Sequence, residues 1–378
     1  MFHLASPLIA VAHPFKVINA ADHHSSENLS MCDIAKGKIT VALDWTPNTN
    51  HVGMYVALQE GFYTAAGLNV TLVPPNENEG AVTPPRRVAA GTATFAVGAS
   101  ETVVSFATTS TQQMSRLVAV AALLQGSTSA ICTLQSSGID TPAKLQGRRF
   151  ASHWGRFSDA MVRTMVNNAG GDGSKVIFQP LPGHGYAVPE IFEAGSVVAS
   201  FLERGLSDSA WIFSHWEGLL AARAGQKLNE FSWDDYNVAY GYAPILFCRP
   251  DTISDHMDKV KAFLAATERG YKIAASDPVR GAKALCACGH PSLKDKEFVM
   301  ASAQAIAPAI LSKTGSWGTM TMERWRAFVD FLTDNKIIVD HDGVEYDRSK
   351  IIVSELFTND ALPCDLRGLV IKKNIVDK

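Results

Sequence analysis

The chain has 378 residues, 47% of them hydrophobic and 19% charged, which is an ordinary globular composition with room for two domains. Its formal net charge of -3 argues against a broad nucleic-acid-binding surface. No apolar run reaches the length that a membrane-spanning helix needs, so we expect no insertion into a membrane.

The beginning of the chain lacks the pattern of a targeting segment. The apolar stretch at residues 6–12 is short and no Lys or Arg precedes it, whereas a signal peptide has a basic start and a longer apolar core. We therefore expect residues 1–37 to form a disordered N-terminal extension. The six cysteines show no spacing typical of a disulfide framework, which favours a reducing compartment and predicts a cytoplasmic protein.

The most informative local pattern begins with an apolar run at residues 39–43, which predicts a buried strand. A polar turn that contains Pro47 follows and leads into a predicted helix. Asn48 or Asn50 is expected to cap this helix, and Gly61 is expected to end it. A strand, a polar turn and a helix N-terminus together form a ligand-binding edge in many α/β proteins.

Strand and helix patterns then alternate in two series, which predicts α/β architecture with sheets dominated by parallel pairs. The first series has strands at residues 70–73, 94–97 and 117–124, and helices at 86–90 and from residue 100. The second has strands at 149–152, 176–181 and 210–214, and helices at 158–168 and 216–224. A strand at 245–248 and four helices complete the pattern, at 257–275, 278–286, 294–306 and 322–332.

Several short motifs occur in the order in which one protein family has them. They are DWTPNTNH at residues 44–51, GFYTAAGL at 61–68, VAAG at 88–91, GSTSA at 126–130 and SSGI at 136–139. This set resembles the SsuA/THI5-like family, which joins the fungal thiamine-pyrimidine synthases to the formylaminopyrimidine-binding proteins of bacterial thiamine-salvage transporters. The resemblance extends over residues 38–335.

The resemblance implies a fold as well as a function. The fold would be a two-lobed α/β structure of the type II periplasmic-binding-protein class, with the ligand in the cleft between the lobes. The first lobe would hold residues 38–125 and 245–335, the second would hold 126–244, and 336–378 would form a C-terminal extension. Residues 195–205 look like an insertion in the wall of the second lobe.

Two side chains are expected to recognise the ligand most directly. Trp45, at the end of the first strand, offers an aromatic face for a pyrimidine ring, although a Trp in this position commonly belongs to a core. Glu217 begins a predicted helix, where a carboxylate also stabilises the helix dipole. The family places an acidic residue here, and a carboxylate can engage the ring nitrogen and amine of an aminopyrimidine. Trp216 is a candidate second aromatic plate.

Four further residues are candidate ligand contacts, each with a structural alternative. Glu101 begins a helix, so its carboxylate could serve the helix dipole instead. Tyr242 lies where the chain should cross back between the lobes, and could face the cleft or be packed. Asn48 and His51 are candidate wall residues that could equally be a helix cap and a packed histidine.

A strand-to-helix turn of the second lobe contains Trp154 and Arg156 and is a candidate anion site, because backbone amides and a guanidinium suit a phosphate. In the synthases the corresponding turn resembles a Gly-Glu-Phe-Gly-Lys cradle for a phosphate. The Glu and the Lys of that cradle are not reproduced in this chain. Cys286, Cys288 and His290 are too few ligands for a tetrahedral site. We interpret them as a helix end and expect no metal.

The synthases are understood to build the pyrimidine from pyridoxal phosphate and a histidine of their own chain. By register, their cofactor lysine falls near Gly98 and their histidine near Thr102, and no cysteine-rich iron-binding run follows Asn237. The resemblance therefore favours a soluble binding protein for a thiamine-related aminopyrimidine, with no catalytic residue and no cofactor.

Two alternatives remain open at this point. One is a divergent 4-amino-5-hydroxymethyl-2-methylpyrimidine phosphate synthase, for which pyridoxal phosphate and iron would be needed. The other is a binding protein for another aromatic or sulfonate ligand, since one fold serves many ligands.

Overall fold

The computed structural model describes residues 31–75, 82–109, 116–152, 156–180 and 198–363. Five strands form the first sheet: β1 Lys38–Ala42, β2 Asn69–Val73, β3 Phe95–Gly98, β4 Val118–Ala122 and β10 Ile245–Cys248. Their order in the sheet is β2-β1-β3-β10-β4. Strand β1 is parallel to β2 and β3, whereas β10 is antiparallel to β3 and β4.

Five other strands form the second sheet: β5 Ser129–Leu134, β6 Arg149–Ser152, β7 Ile177–Pro180, β8 Ser209–Phe213 and β9 Leu228–Ser232. Their order is β7-β6-β8-β5-β9. Strand β6 is parallel to β7 and β8, and β5 is antiparallel to β8 and β9.

The prediction that parallel pairs dominate is wrong, because each described sheet has as many antiparallel as parallel pairs. The chain crosses from the first sheet to the second after β4 and returns before β10. The strand that follows each crossing runs against its neighbours, which places one reversed strand inside each sheet. Strand β9 was not predicted, since its LNEFS sequence contains no apolar run.

Most helices of the described residues match predicted ones with different ends, whereas the short helices Met31–Ala35 and Phe62–Ala65 were not predicted. The helices are α1 Met31–Ala35, α2 Val52–Gln59, α3 Phe62–Ala65, α4 Pro84–Ala89, α5 Ser100–Thr109, α6 Arg156–Asn168, α7 Leu219–Arg223, α8 Pro250–Ser276, α9 Pro278–Cys286, α10 Lys296–Ile310 and α11 Met322–Asp334. Helix α1 lies within the segment for which disorder was expected, and residues 1–30 lie outside the described residues. In the described part of the chain, no helix combines the length and apolarity required to cross a membrane.

Helices α2 and α8 cross in very close contact beside the first sheet. A Cβ atom added to Gly270 would lie 1.9 Å from the carbonyl oxygen of Gly53, so only glycine fits this crossing. The neighbouring Tyr271 donates its hydroxyl to the carbonyl oxygen of Asn50 at 2.7 Å. The crossing therefore fixes the polar turn after β1 as well as the core.

The two chain crossings between the sheets, residues 123–128 and 233–244, are held side by side by Arg324 of α11. Its guanidinium donates to the carbonyl oxygens of Gln125 and Gly241 at 2.9 and 2.7 Å. It also lies 4.1 Å from the ring centre of Tyr242, whose hydroxyl accepts the backbone N–H of Thr321 at 3.0 Å. Tyr242 is only 2% exposed, which agrees with the packed alternative, and its contact with a ligand stays a prediction.

Part of the segment predicted as a C-terminal extension packs against the first sheet. The backbone N–H of Thr358 donates to the carbonyl oxygen of Ala119 in β4 at 2.9 Å. Phe357 stacks on Trp325 with ring centres 5.6 Å apart. Residues 364–378 lie outside the described residues, and the predicted lobe boundaries stay a prediction.

Replacing Gly270 with alanine should destabilise the protein by about 1–3 kcal/mol, because the new methyl group must push two helix backbones apart. The measurement is the free energy of unfolding from urea denaturation. Gly126→Ala is the matched control, since its Cβ would meet only Ala309, at an ordinary contact distance of 3.5 Å. Equal stability of the Gly270 variant and the wild-type protein would contradict the close crossing.

Candidate functional site

A cavity of about 260 Å³ lies between the two sheets and is lined by residues from both. The residues from the first-sheet side are Asp44, Trp45, Asn48, Asn50 and Glu101, and those from the second-sheet side are Ser158, Trp211, Phe213, His215, Trp216 and Glu217. Nearly all of them follow or end strands β1, β3, β6 and β8, whose carboxyl ends meet at this cleft. Ligands of α/β proteins typically bind at such strand ends, and the volume suits a single-ring ligand.

The polar turn after β1 is organised by its own side chains. The Asn48 side chain accepts the backbone N–H of Asn50 at 2.8 Å and caps the helical turn Thr49–His51. The backbone N–H of Asn48 points back to Nδ1 of His51 at 3.4 Å. Asn48 was predicted both as a cap and as a wall residue, and it occupies both positions.

His51 lies behind the cavity wall. Its Nδ1 accepts a backbone N–H, so its proton is on Nε2, which donates to Oδ1 of Asp44 at 2.8 Å. The imidazole is fully buried, whereas the Asp44 side chain is 24% exposed and lines the cavity. His51 is not among the lining residues and holds the carboxylate of Asp44, as the packed alternative expects, and its contact with a ligand stays a prediction.

Glu217 stands in a π-helical turn, Ser214–Gly218, that leads into α7. One carboxylate oxygen accepts the backbone N–H of Phe213 at 2.9 Å. Burial raises the pKa of this carboxyl to about 7. Single π-helical turns are rare and frequently occur at functional sites, and this one turns Glu217 towards the cavity.

Glu101 has the corresponding place on the opposite wall, in the first turn of α5. Burial raises its pKa to about 7, against the smaller opposing effect of its hydrogen bonds, one of them to Tyr240. Both carboxyls are therefore poised to gain or lose a proton near neutral pH. A charged ligand group beside either of them would decide which form prevails.

Three buried polar atoms of lining residues have no hydrogen-bond partner in the described part of the chain. They are Oδ1 of Asn50, Oε2 of Glu101 and Nδ1 of His215. A buried acceptor without a donor is unfavourable by about 1–3 kcal/mol, which a ligand N–H can recover. The cavity is thus suited to a ligand that donates several hydrogen bonds.

The flat walls of the cavity are aromatic. Trp211 lines the cavity and packs on Trp233 with ring centres 4.4 Å apart, so Trp233 supports the ring of Trp211 from behind. Trp216 meets Phe298 of α10 edge-on at 4.7 Å, so it joins the second-sheet side to the first. The ion pair between Arg223 and Asp295, at 2.9 Å, lies along the same contact.

Of the nine predicted ligand residues, five line the cavity: Trp45, Asn48, Glu101, Trp216 and Glu217. Their contact with a ligand stays a prediction. Trp154 lies outside the described residues, and so does the side chain of Arg156, the first residue of α6. The proposed anion turn is therefore untested.

Sequence analysis missed several residues of the lining, namely Asp44, Asn50, Ser158, Trp211, Phe213 and His215. A signal was present for two of them, because Trp211 and Phe213 alternate along β8 and so share one face of the sheet. Asp44 stands in the DWTPNTNH motif. Its role depends on a hydrogen bond to His51 that no sequence pattern reveals.

Comparisons with known proteins show which family and which fold the chain is similar to. The NMT1/THI5-like family model matches residues 48–281, more than half of the chain. The formylaminopyrimidine-binding protein of Halalkalibacterium halodurans is 22% identical over 311 residues, which are 81% of this chain and 87% of that protein. The 4-amino-5-hydroxymethyl-2-methylpyrimidine phosphate synthase of Legionella pneumophila is 24% identical over 256 residues, which are 66% of this chain and 73% of that protein.

A solved structure with the same architecture is the alkanesulfonate-binding protein SsuA from Xanthomonas axonopodis pv. citri, bound to MOPS. It superposes with a TM-score of 0.60 over 85% of this chain and 98% of its own, at 11% identity. Likeness at this identity shows the fold alone. The two-lobed type II periplasmic-binding-protein fold predicted from the sequence is confirmed.

Glu217→Gln tests how burial acts on this carboxyl. Its pKa rises from 4.5 to about 7 on folding, so the folded state binds the proton more tightly than the unfolded chain does. The stability of the wild-type protein therefore loses a contribution as the pH rises from about 4.5 to about 7. We expect the variant to gain stability relative to wild type between about pH 5 and about pH 8, measured by urea denaturation. A difference that does not change with pH would contradict the raised pKa.

Proposed function

This chain belongs to the NMT1/THI5-like family, and we propose that it is a binding protein for a thiamine-related aminopyrimidine, acting in the biosynthesis or salvage of the thiamine pyrimidine. The observation that carries the proposal is one cavity that combines aromatic walls with partly buried carboxyl groups. The name of the Halalkalibacterium halodurans relative, a formylaminopyrimidine-binding protein, supports the same ligand class.

An aminopyrimidine fits this cavity by shape and by hydrogen bonding. Its ring is flat and can stack on Trp45 or Trp216, both of which line the cavity. Its ring nitrogen and exocyclic amine lie on one edge, and a carboxyl group can pair with both. The backbone N–H of Phe213 donates to one oxygen of Glu217 and so fixes the carboxyl group at the cavity wall.

A sulfonate ligand has less support. The described residues that line the cavity include no Lys or Arg, whereas Asp44, Glu101 and Glu217 each contribute a carboxyl group. A sulfonate would have to lie near these groups without a described cation to balance its charge. The SsuA likeness therefore supports the fold and not that ligand class.

The synthase alternative rests on the Legionella pneumophila relative, and the positions near Gly98 and Thr102 argue against it. A Schiff base with pyridoxal phosphate needs a lysine amine, and a Cβ at Gly98 would already lie 3.0 Å from the ring of Phe247. Native mass spectrometry of the purified protein separates the hypotheses. A bound pyrimidine supports the proposal, and bound pyridoxal phosphate supports the synthase.

We expect 4-amino-5-hydroxymethyl-2-methylpyrimidine or its formylamino relative to bind and to quench the tryptophan fluorescence, because Trp45, Trp211 and Trp216 line the cavity. Isothermal titration calorimetry gives the affinity and the stoichiometry. Absence of binding by both compounds at millimolar concentration would refute the proposed ligand class.

Glu217→Gln should weaken binding of these compounds by about ten- to a hundredfold, the loss of about 1.5–3 kcal/mol from one charge-assisted hydrogen bond. Glu323→Gln is the control, because Glu323 also lies in the first turn of a helix but is outside the cavity lining. If the two variants bind like the wild-type protein, Glu217 acts only at the helix start.

A further inference from the structure

We propose that the cleft selects a cationic ligand, namely an aminopyrimidine that carries an alkylammonium group, over its neutral hydroxymethyl and its phosphorylated relatives. This inference rests on the proposed function and names the charge of the ligand class. It follows from the distribution of charge and of unpaired acceptors around the cavity.

Three carboxyl groups converge on a cavity of about 260 Å³ from three separate elements. Asp44 comes from the turn after β1, Glu101 from α5 and Glu217 from the π-helical turn after β8. No Lys or Arg is among the described residues of the lining. A concentration of like charges in a small buried space is unfavourable unless a cation joins them.

The two histidines near the cavity are both held within the protein. His51 accepts a backbone N–H at Nδ1, and its Nε2 is hydrogen-bonded to Oδ1 of Asp44. His215 is 4% exposed, and burial lowers its pKa to about 3. The ring of His215 is therefore neutral near pH 7, and that of His51 is already paired with Asp44, so neither is free to balance a second carboxyl group.

The guanidinium of Arg324, at the chain crossings between the sheets, is already engaged. It donates to the carbonyl oxygens of Gln125 and Gly241 and stacks on Tyr242. Arg324 is not part of the lining. Its charge serves the chain crossings, and the described part of the lining holds three carboxyl groups without a Lys or Arg.

Unpaired acceptors on the first-sheet side indicate where an ammonium group would lie. Oδ1 of Asn50, which is 4% exposed, and Oε2 of Glu101 are both buried without a donor. An alkylammonium has three N–H donors and no acceptor, which matches these two oxygens and the Asp44 carboxylate. Glu217, on the opposite wall, then remains for the amine edge of the pyrimidine.

The raised pKa values of Glu101 and Glu217 agree with this arrangement. Burial raises both to about 7, so the cavity without a cation resists full ionisation. A bound ammonium favours the ionised form of the carboxyls around it. A phosphate ester would have the opposite effect and would face the same three groups with like charge.

The test compares three compounds that share the ring 4-amino-2-methylpyrimidine. They differ only at position 5, which carries an aminomethyl group, a hydroxymethyl group or the phosphate ester of that hydroxymethyl group. Calorimetry near pH 7.5 should show that the aminomethyl compound binds about tenfold or more tighter than the hydroxymethyl compound, the effect of one charge-assisted pair. The ester should bind most weakly. Equal or reversed affinities of the first two overturn the inference while the proposed function stands, and no binding by any of the three overturns both.

Two variants locate the charge recognition. Glu101→Gln and Asp44→Asn should each bring the affinity ratio of the aminomethyl to the hydroxymethyl compound towards one, whereas the exposed Asp140→Asn should leave it unchanged. Glu101→Gln also covers the possibility that Asp44→Asn fails to fold, because Asp44 is the partner of His51. A ratio that neither variant alters overturns the inference.

Discussion

The guanidinium of Arg324 holds together the two chain segments that connect the sheets, and the geometry of the cleft depends on it. One donor reaches the outgoing segment at Gln125 and another reaches the returning segment at Gly241. Hydrogen bonds from a charged donor are stronger than neutral ones and have defined directions. The clamp thus fixes how the carboxyl ends of the strands in one sheet face those in the other, and the ligand-binding residues stand at those ends.

Each wall of the cavity has carboxyl groups that are positioned by a tightly packed part of the fold. The first wall depends on a glycine-glycine helix crossing that brings Tyr271 against the turn after β1. The second wall depends on a π-helical turn whose carboxylate accepts the N–H of Phe213. Preorganised acceptors need little rearrangement on binding, so affinity is determined by the donors that a ligand supplies.

Much of this architecture could be predicted from the sequence, because strands and helices with strong apolar patterns appear where expected. The helix Pro278–Cys286 and the strands Arg149–Ser152 and Ile245–Cys248 have the predicted ends. Strand β9 could not be predicted, since its partners in the sheet and not its own residues make it a strand. The direction of β5 and β10 depends on the chain crossings, which local patterns do not contain.

The site was predictable to the extent that the family motifs mark it. The motif around residue 44 located the first wall, but which of its polar residues faces the ligand depends on hydrogen bonds within the turn. His51 and Asp44 illustrate this, because the packed histidine orients the carboxylate that lines the cavity. Tyr242 illustrates the same limit, because its ring packs against the guanidinium of Arg324 at the chain crossings.

The contact of Trp216 with Phe298 has a consequence for the time that a ligand stays bound. Trp216 belongs to the cavity lining and also joins the second-sheet side to α10, beside the ion pair of Arg223 and Asp295. Any movement that separates the two walls has to break this contact as well as the contacts of the ligand. Where such a movement precedes release, compounds of different affinity share this part of the barrier to leaving.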